Sequence, residues 1–227
     1  MLCTHIIARR PCPSVSLTRN NLTFLQNALL LAVVLGVGGM REAAAQDRLN
    51  VVLILVDDLG WSDLGCYGSD YYLTPNIDRL ARQSWRFQSA YAAAPVCSPT
   101  RAAILTGKTP ARLNMTIWHE GAVGGGPTNR QLRDAPSVAN LPLEEMTLAE
   151  HFHESEYVTA HIGKWHLGTA AYYPETQGFD INIGGTFWGA PSTFFYPFRG
   201  PWNDRDPQIR YVPGLGTGRS DDYLPDR

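Results

Sequence analysis

Cysteine, surplus positive charge and long apolar runs are all scarce in this chain of 227 residues, and each shortage removes a class of protein. Four cysteines, Cys3, Cys12, Cys66 and Cys97, are too few for a disulfide-built scaffold. With 19 Lys and Arg against 21 Asp and Glu the formal charge is −2, so the basic footprint of a nucleic-acid binder is missing. The apolar run Ala28 to Val37 (ALLLAVVLGV) is too short to span a bilayer comfortably, and no stable membrane span is expected. Gly124-Gly125-Gly126 lacks the spacing and the lysine of a nucleotide-binding loop. There is no internal repeat and no low-complexity linker. What is present, 44% hydrophobic residues with 21 Gly and 16 Pro, describes a loop-rich globular protein.

Arg9, Arg10 and Arg19 precede the apolar run, and Ala43-Ala44-Ala45 follows it with the small residues of a cleavage site. This is the pattern of a signal peptide over residues 1–45, with a retained anchor as the alternative. A secreted or periplasmic protein is therefore expected. Without Arg9, Arg10, Arg19, Arg41 and Glu42 the formal charge falls from −2 to −5, so an anionic substrate would have to be held by local charge. Removal of the leader also leaves only Cys66 and Cys97, which could pair in an oxidising compartment.

Asn50 to Val56 (NVVLILV) suits a central strand of a parallel sheet, buried on both faces. It ends in Asp57-Asp58, and in open α/β sheets ligands gather at the carboxyl ends of strands. Thr74-Pro75 opens a helix with Ile77, Leu80, Ala81 and Ser84 on one face, and Trp85, Phe87, Ser89 and Tyr91 alternate as a strand would. Arg112 to Leu143 is polar and rich in Gly and Pro, the composition of a long excursion loop. Thr147 and Glu150 have capping-box spacing before a short helix, and Tyr157 to Ile162 follows as a strand that delivers GKWHLG, Gly163 to Gly168. The aromatic stretch Phe187 to Trp202 suggests irregular structure that either lines a sugar-binding cleft or simply packs.

The stretch PVCSPTRAAILTGK, Pro95 to Lys108, places a thiol at a helix start. Ser98 suits the N-cap and Pro99 the first helical position, Arg101 to Leu105 favour helix, and Gly107 stops it. Cys97 would then lie in the field of unpaired N–H groups that favours anions. The bland alternative is a buried cysteine before an ordinary helix.

Together the charged residues suit cleavage of an anionic ester. Asp57 and Asp58 can hold a hard cation through oxygen. Arg101 and Lys164 can neutralise an oxyanion, and His166 can orient or deprotonate a nucleophile. A soft thiol beside a hard cation is a poor match.

CSPTRAAILTG, Cys97 to Gly107, resembles the signature of type I sulfatases, in which the cysteine is oxidised to formylglycine. HIGKWHLG, His161 to Gly168, is similar to the second sulfatase signature, and LILVDDLGWSDLGCYG, Leu53 to Gly68, to the family's metal-binding opening. The resemblance implies an alkaline phosphatase-like α/β fold with a mixed, largely parallel sheet flanked by helices. It implies sulfate ester hydrolysis with a calcium ion, on a sulfated glycan by likeness to the polysaccharide-acting members, and a maturation enzyme that modifies Cys97. Asp57, Asp58 and the modified Cys97 would be metal ligands. Arg101 would fix the formylglycine, Lys164 would bind sulfate and His166 would hydrogen-bond the aldehyde hydrate.

Sulfatases of this family continue well past the position of Arg227, so residues 46–227 are expected to be the N-terminal part of the catalytic domain. The remaining metal ligands, a second histidine and a second lysine would lie in the part not present, and Asp221, Asp222 and Asp226 lack the flanking motif to replace them. Two other readings stay open: a formylglycine-dependent phosphonate or phosphate ester hydrolase, and an unmodified, inactive protein that binds sulfated glycans.

Overall fold

The computed structural model describes residues 2–9, 48–125, 129, 131–132, 135–203 and 206–226. The apolar run and the alanine triplet of the expected leader lie outside these residues. Leu2–Arg9, which that leader would also contain, is strand β1.

A four-stranded mixed sheet has the order β2-β1-β3-β4. Its other strands are β2 (Val51–Val56), β3 (Tyr157–Gly163) and β4 (Ile181–Ile183). β1 runs antiparallel to both β2 and β3, and β3 runs parallel to β4, so β2, β3 and β4 share one direction. Opposite Leu2 is Val56, and opposite Cys3 is Gly163. The carboxyl ends of β2 and β3 therefore lie at the same edge, one strand apart. That is the geometry the two motifs need.

The expectation of a doubly buried central strand at Val51–Val56 is corrected. Among the described residues β2 is an edge strand whose only ladder partner is β1, and Val52 and Ile54, on one face, are each 57% exposed. An uninterrupted apolar run fits either position in a sheet, because composition reports what a strand could bury and not what covers it.

Helix α1 (Pro75–Arg82) begins at the expected Thr74-Pro75 step, but its apolar face, including Ile77 and Leu80, is exposed. The strand expected over Trp85 to Tyr91 does not form. Trp85, Phe87 and Tyr91 are exposed, and the segment is tied down by Arg86 Nη1 donating to Cys66 O and Tyr67 Oη donating to Phe87 O, not by a ladder. Period-two patterning makes a strand only where another strand offers an edge.

Helix α2 (Cys97–Thr106) ends at Gly107 with φ 67°, a conformation that glycine adopts at no steric cost. Its start differs from the expected one: Val96 is the N-cap and Cys97 is already helical. Ser98 makes no cap because its hydroxyl is used elsewhere. The excursion after α2 contains a short helix, α3 (His119–Gly124). Helix α4 (Leu148–Glu154) carries the expected capping box: Thr147 Oγ1 accepts from Glu150 N, and Glu150 Oε2 accepts from Thr147 N. The aromatic segment is not wholly irregular, since β5 (Arg199–Asn203) and β6 (Asp206–Tyr211) form a hairpin.

The core lies where α2 and α4 pack against the segment after β3. Ala102 and Leu105 from α2, Ala149 from α4, and Trp165, Leu167 and Phe179 meet Leu113, Met115 and Leu141 there. Arg101 and Ala102 both point inward, so the helix that carries Cys97 is fixed by the core itself.

β1 adds one costly feature. His5 is 5% exposed and His161 0%, and they face each other across the β1–β3 ladder with Nδ1 atoms 3.3 Å apart. Burial, reinforced by the charge of Arg101, pushes His5 down to about 4, and burial, together with the repulsion a protonated His5 would exert, pushes His161 down too. Both rings are thus neutral in the fold, and each must lose that environment to take up a proton. Because the folded value lies below the ordinary 6.5, stability is complete above pH 6.5 and falls as pH drops toward 4. We expect urea midpoints to decline across that window, with His5 alone contributing about 3 kcal/mol. The decline should be much smaller in a His5→Phe chain.

Candidate active site

At the edge where β2 and β3 end, the chain turns sharply. Asp58 adopts φ 57°, a left-handed conformation that Asp tolerates better than most residues. The turn directs Asp57 into the structure and leaves Asp58 exposed. After β3, Gly163 (φ 107°), His166 (φ 60°) and Gly168 (φ 142°) are all left-handed. Gly168 is required by space as well: a Cβ there would meet Tyr172 Cβ at 2.8 Å and Asn140 Oδ1 at 2.9 Å. These bends turn Lys164 and His166 toward the site, while Trp165 and Leu167 enter the core.

The side chains converge on Cys97. Lys164 Nζ donates to Asp57 Oδ2 at 2.5 Å and to Cys97 Sγ at 3.1 Å. Arg101 Nη2 lies 3.5 Å from Asp57 Oδ1, and Arg101 Nη1 donates to Lys164 O at 2.6 Å. Both cations are nearly closed off from solvent, Arg101 at 4% and Lys164 at 5%. Burial works to raise the Asp57 carboxyl, but the hydrogen bond and charge of Lys164 and the charge of Arg101 outweigh it and hold it below the ordinary carboxylate range. His166 lowers the Cys97 thiol; burial opposes this and Lys164 adds to it.

His166 is 3% exposed, and its ring is clasped from the outer side. Nε2 lies 2.6 Å from Glu120 Oε2, on α3. Nδ1 is buried without a hydrogen-bond partner among the described residues. The imidazole and the thiol are close enough for each to shift the other, although Nδ1 makes no hydrogen bond. Burial disfavours the imidazolium, but Cys97 and Glu120 outweigh it and raise His166. Glu120 shows the reciprocal effect: burial would raise it, yet His166 and backbone N–H groups hold it at about 2.

Five of the six expected residues, Asp57, Cys97, Arg101, Lys164 and His166, are therefore neighbours, and Asp58 stands outside them. Two features escaped the sequence. Glu120 lies in the polar excursion with no motif around it, so nothing local marked it. The Ser98 hydroxyl, expected as a cap, donates to His166 O at 2.6 Å and accepts from His119 N at 3.1 Å, locking α2, α3 and the segment after β3 together. The Cys66–Cys97 disulfide is not formed, and both cysteines are free.

The fit of the implied groups differs. A hydrated aldehyde at position 97 finds an ammonium 3.1 Å from the present sulfur and an orphaned buried imidazole nitrogen on the other side, so the residues suit it. Calcium takes about six to eight oxygen ligands. The described residues contain no group of three or more His, Cys, Asp or Glu placed to hold a metal. Asp57 is already neutralised by two cations, and by themselves these residues do not fit a calcium ion. A cavity of about 500 Å³ lined by Gly65, Cys66, Asp78, Ala81, Arg82 and Arg86 includes none of the converging side chains.

Comparison with known proteins bears on the family of the chain. Residues 49–222 match the sequence model of the family described as Sulfatase. N-acetylgalactosamine-6-sulfatase of Canis lupus familiaris is 39% identical over 173 residues, covering 74% of this chain and 30% of the relative. Human arylsulfatase A is 41% identical over 160 residues, covering 69% and 28%. The crystal structure of Ps i-CgsB in complex with k-i-k-neocarrahexaose is 34% identical, with a TM-score of 0.49, covering 61% of this chain and 28% of that one. The chain belongs to the sulfatase family. It spans less than a third of the length of these curated relatives.

The shifted thiol gives a direct test. Cys97 should react with iodoacetamide with a half-rate pH below that of an ordinary cysteine. In a Lys164→Met chain, which removes the ammonium 3.1 Å from sulfur, the half-rate pH should rise.

Proposed function

We propose that this chain carries the nucleophile and sulfate-holding half of a hydrolase for sulfate esters, with Cys97 converted to formylglycine and a calcium ion completing the site. The observation that carries the proposal is the seat of Lys164: a buried ammonium bonded at once to Asp57 and to the side chain of residue 97. Such a group is positioned to neutralise an anion that reacts at position 97.

Formylglycine would supply a hydrated aldehyde: one hydroxyl attacks sulfur as the S–O bond to the ester's alcohol breaks and the alcohol leaves, and loss of the other hydroxyl's proton then expels sulfate and restores the aldehyde. The residues of this chain act around it. Lys164 Nζ holds a sulfate oxygen beside residue 97. Arg101, clamped by Lys164 O and Asp57, fixes the start of α2 and neutralises charge there. His166 Nδ1 takes a hydrogen bond from the hydrate. For calcium, which these residues by themselves do not fit, Asp57, Asp58 and residue 97 would supply only part of the ligand shell. Both cysteines being free favours this reading over an inert, disulfide-bonded protein.

A sulfated carbohydrate is the proposed substrate, supported by the name of the N-acetylgalactosamine-6-sulfatase relative and by exposed aromatic side chains such as Trp202 and Tyr211. Modification by a formylglycine-generating enzyme and export with a leader belong to the same proposal; cleavage after residue 45 would also remove β1, so the four-stranded sheet is that of the uncleaved chain. Among the described residues no helix is long and apolar enough to cross a membrane.

Peptide mass spectrometry after co-expression with a formylglycine-generating enzyme should show the Cys97 peptide with sulfur replaced by oxygen and two hydrogens lost. Recovery of unmodified thiol alone would count against the proposal. Calorimetric calcium titration of this chain should show only weak binding, since the donors present make up less than half of a usual shell. Tight one-to-one binding would show that the shell is complete.

A further inference from the structure

We propose that Glu120 is the positioning residue of this site: by holding the His166 ring at Nε2 it turns Nδ1 toward residue 97. The consequence for catalysis rests on the sulfatase reading of Cys97, but the coupling of Glu120 to the thiol does not.

Three observations separate this contact from an incidental ion pair. First, the carboxylate is held on both oxygens, Oε2 by His166 Nε2 at 2.6 Å and Oε1 by Gly189 N at 3.4 Å, and α3 is itself pinned through His119 N to the Ser98 hydroxyl beside Cys97. Second, the ring has no room to swing. Its backbone is left-handed, and a Cβ on Gly189 would lie 2.8 Å from its Cε1, so the chain passes against the ring where only glycine fits. Third, Nδ1 is left buried and without a protein partner among the described residues, an unfavourable arrangement that a bridge serving only to tie α3 down would not require. An acid that orients a histidine by one nitrogen and frees the other for a nucleophile is a recurring solution to side-chain activation. Here Glu120 takes Nε2, and Nδ1 is the ring nitrogen left open.

The test uses the full chain with Cys97 as a thiol and iodoacetamide as the probe at one fixed pH. Glu120→Ala should slow Cys97 alkylation on the order of tenfold. Glu120→Gln keeps an oxygen that accepts from Nε2–H and should recover most of the rate. Gly189→Ala leaves Glu120 intact but sets a methyl against the ring, and should reproduce the loss. Alkylation of Cys66 and the thermal midpoint report on folding, and should stay near wild type in the Gln variant. An unchanged Cys97 rate in folded Glu120→Ala overturns the proposal, as does a Gln variant as slow as Ala. If Glu120→Ala does not fold, equality of the Gln and wild-type rates together with slowing in Gly189→Ala sustains it, and wild-type reactivity in Gly189→Ala overturns it. Failure of the matured protein to release sulfate from a sulfate ester, with the thiol coupling intact, would instead sink the sulfatase reading alone.

Discussion

Two positive charges buried at the end of a sheet constrain everything around them. Arg101 and Lys164 are almost sealed from water, and unpaired charges at that depth would cost several kcal/mol each. Asp57 is the fixed answer, and it meets both. Yet one carboxylate cannot balance two cations and the remaining polar surface, so the local field is positive and residue 97 sits in it. His166 lowers the Cys97 thiol and Lys164 adds to that, against burial.

The scaffold explains why those contacts are rigid. β2 and β3 point the same way with one strand between them, which sets Asp57 and Lys164 at one edge. Helix α2 has the core on the face that carries Ala102 and Leu105, so Cys97 and Arg101 cannot drift from the charges they answer. The Ser98 hydroxyl then joins α2 to the backbone of His166 and to α3. Each catalytic candidate is thus held by main chain, by the core or by an opposite charge, as a preorganised site demands.

Much of this site is legible in the amino-acid sequence, because each motif ties a residue type to a local conformation. Asp57-Asp58 stands at a strand end, Cys97 at a helix start, and Lys164 and His166 between two glycines that permit the bends. Elements with reciprocal local chemistry, such as the capping box at Thr147 and Glu150, are equally legible. What escapes depends on partners. The apolar pattern of Val51–Val56 does not say how many strands flank it, and the alternation from Trp85 to Tyr91 does not say whether an edge awaits it. Glu120 is hidden for the same reason, since its meaning lies in a ring 46 positions away, across a stretch with no regular pattern.

β1 carries a consequence for how the molecule comes together. In the uncleaved chain its residues precede β2, but the strand on its other side comes much later: His5 and His161, which face each other in the sheet, are 156 positions apart. Until that later strand exists, β1 can form at most one ladder, with β2. A two-stranded pair is marginal by itself. The sheet edge that gathers the charged side chains therefore assembles last, by a long-range closure whose entropy must be met before its contacts exist. During that interval Cys97 is on an unfinished surface, its helix without Lys164 or His166. That exposure ends when β3 docks.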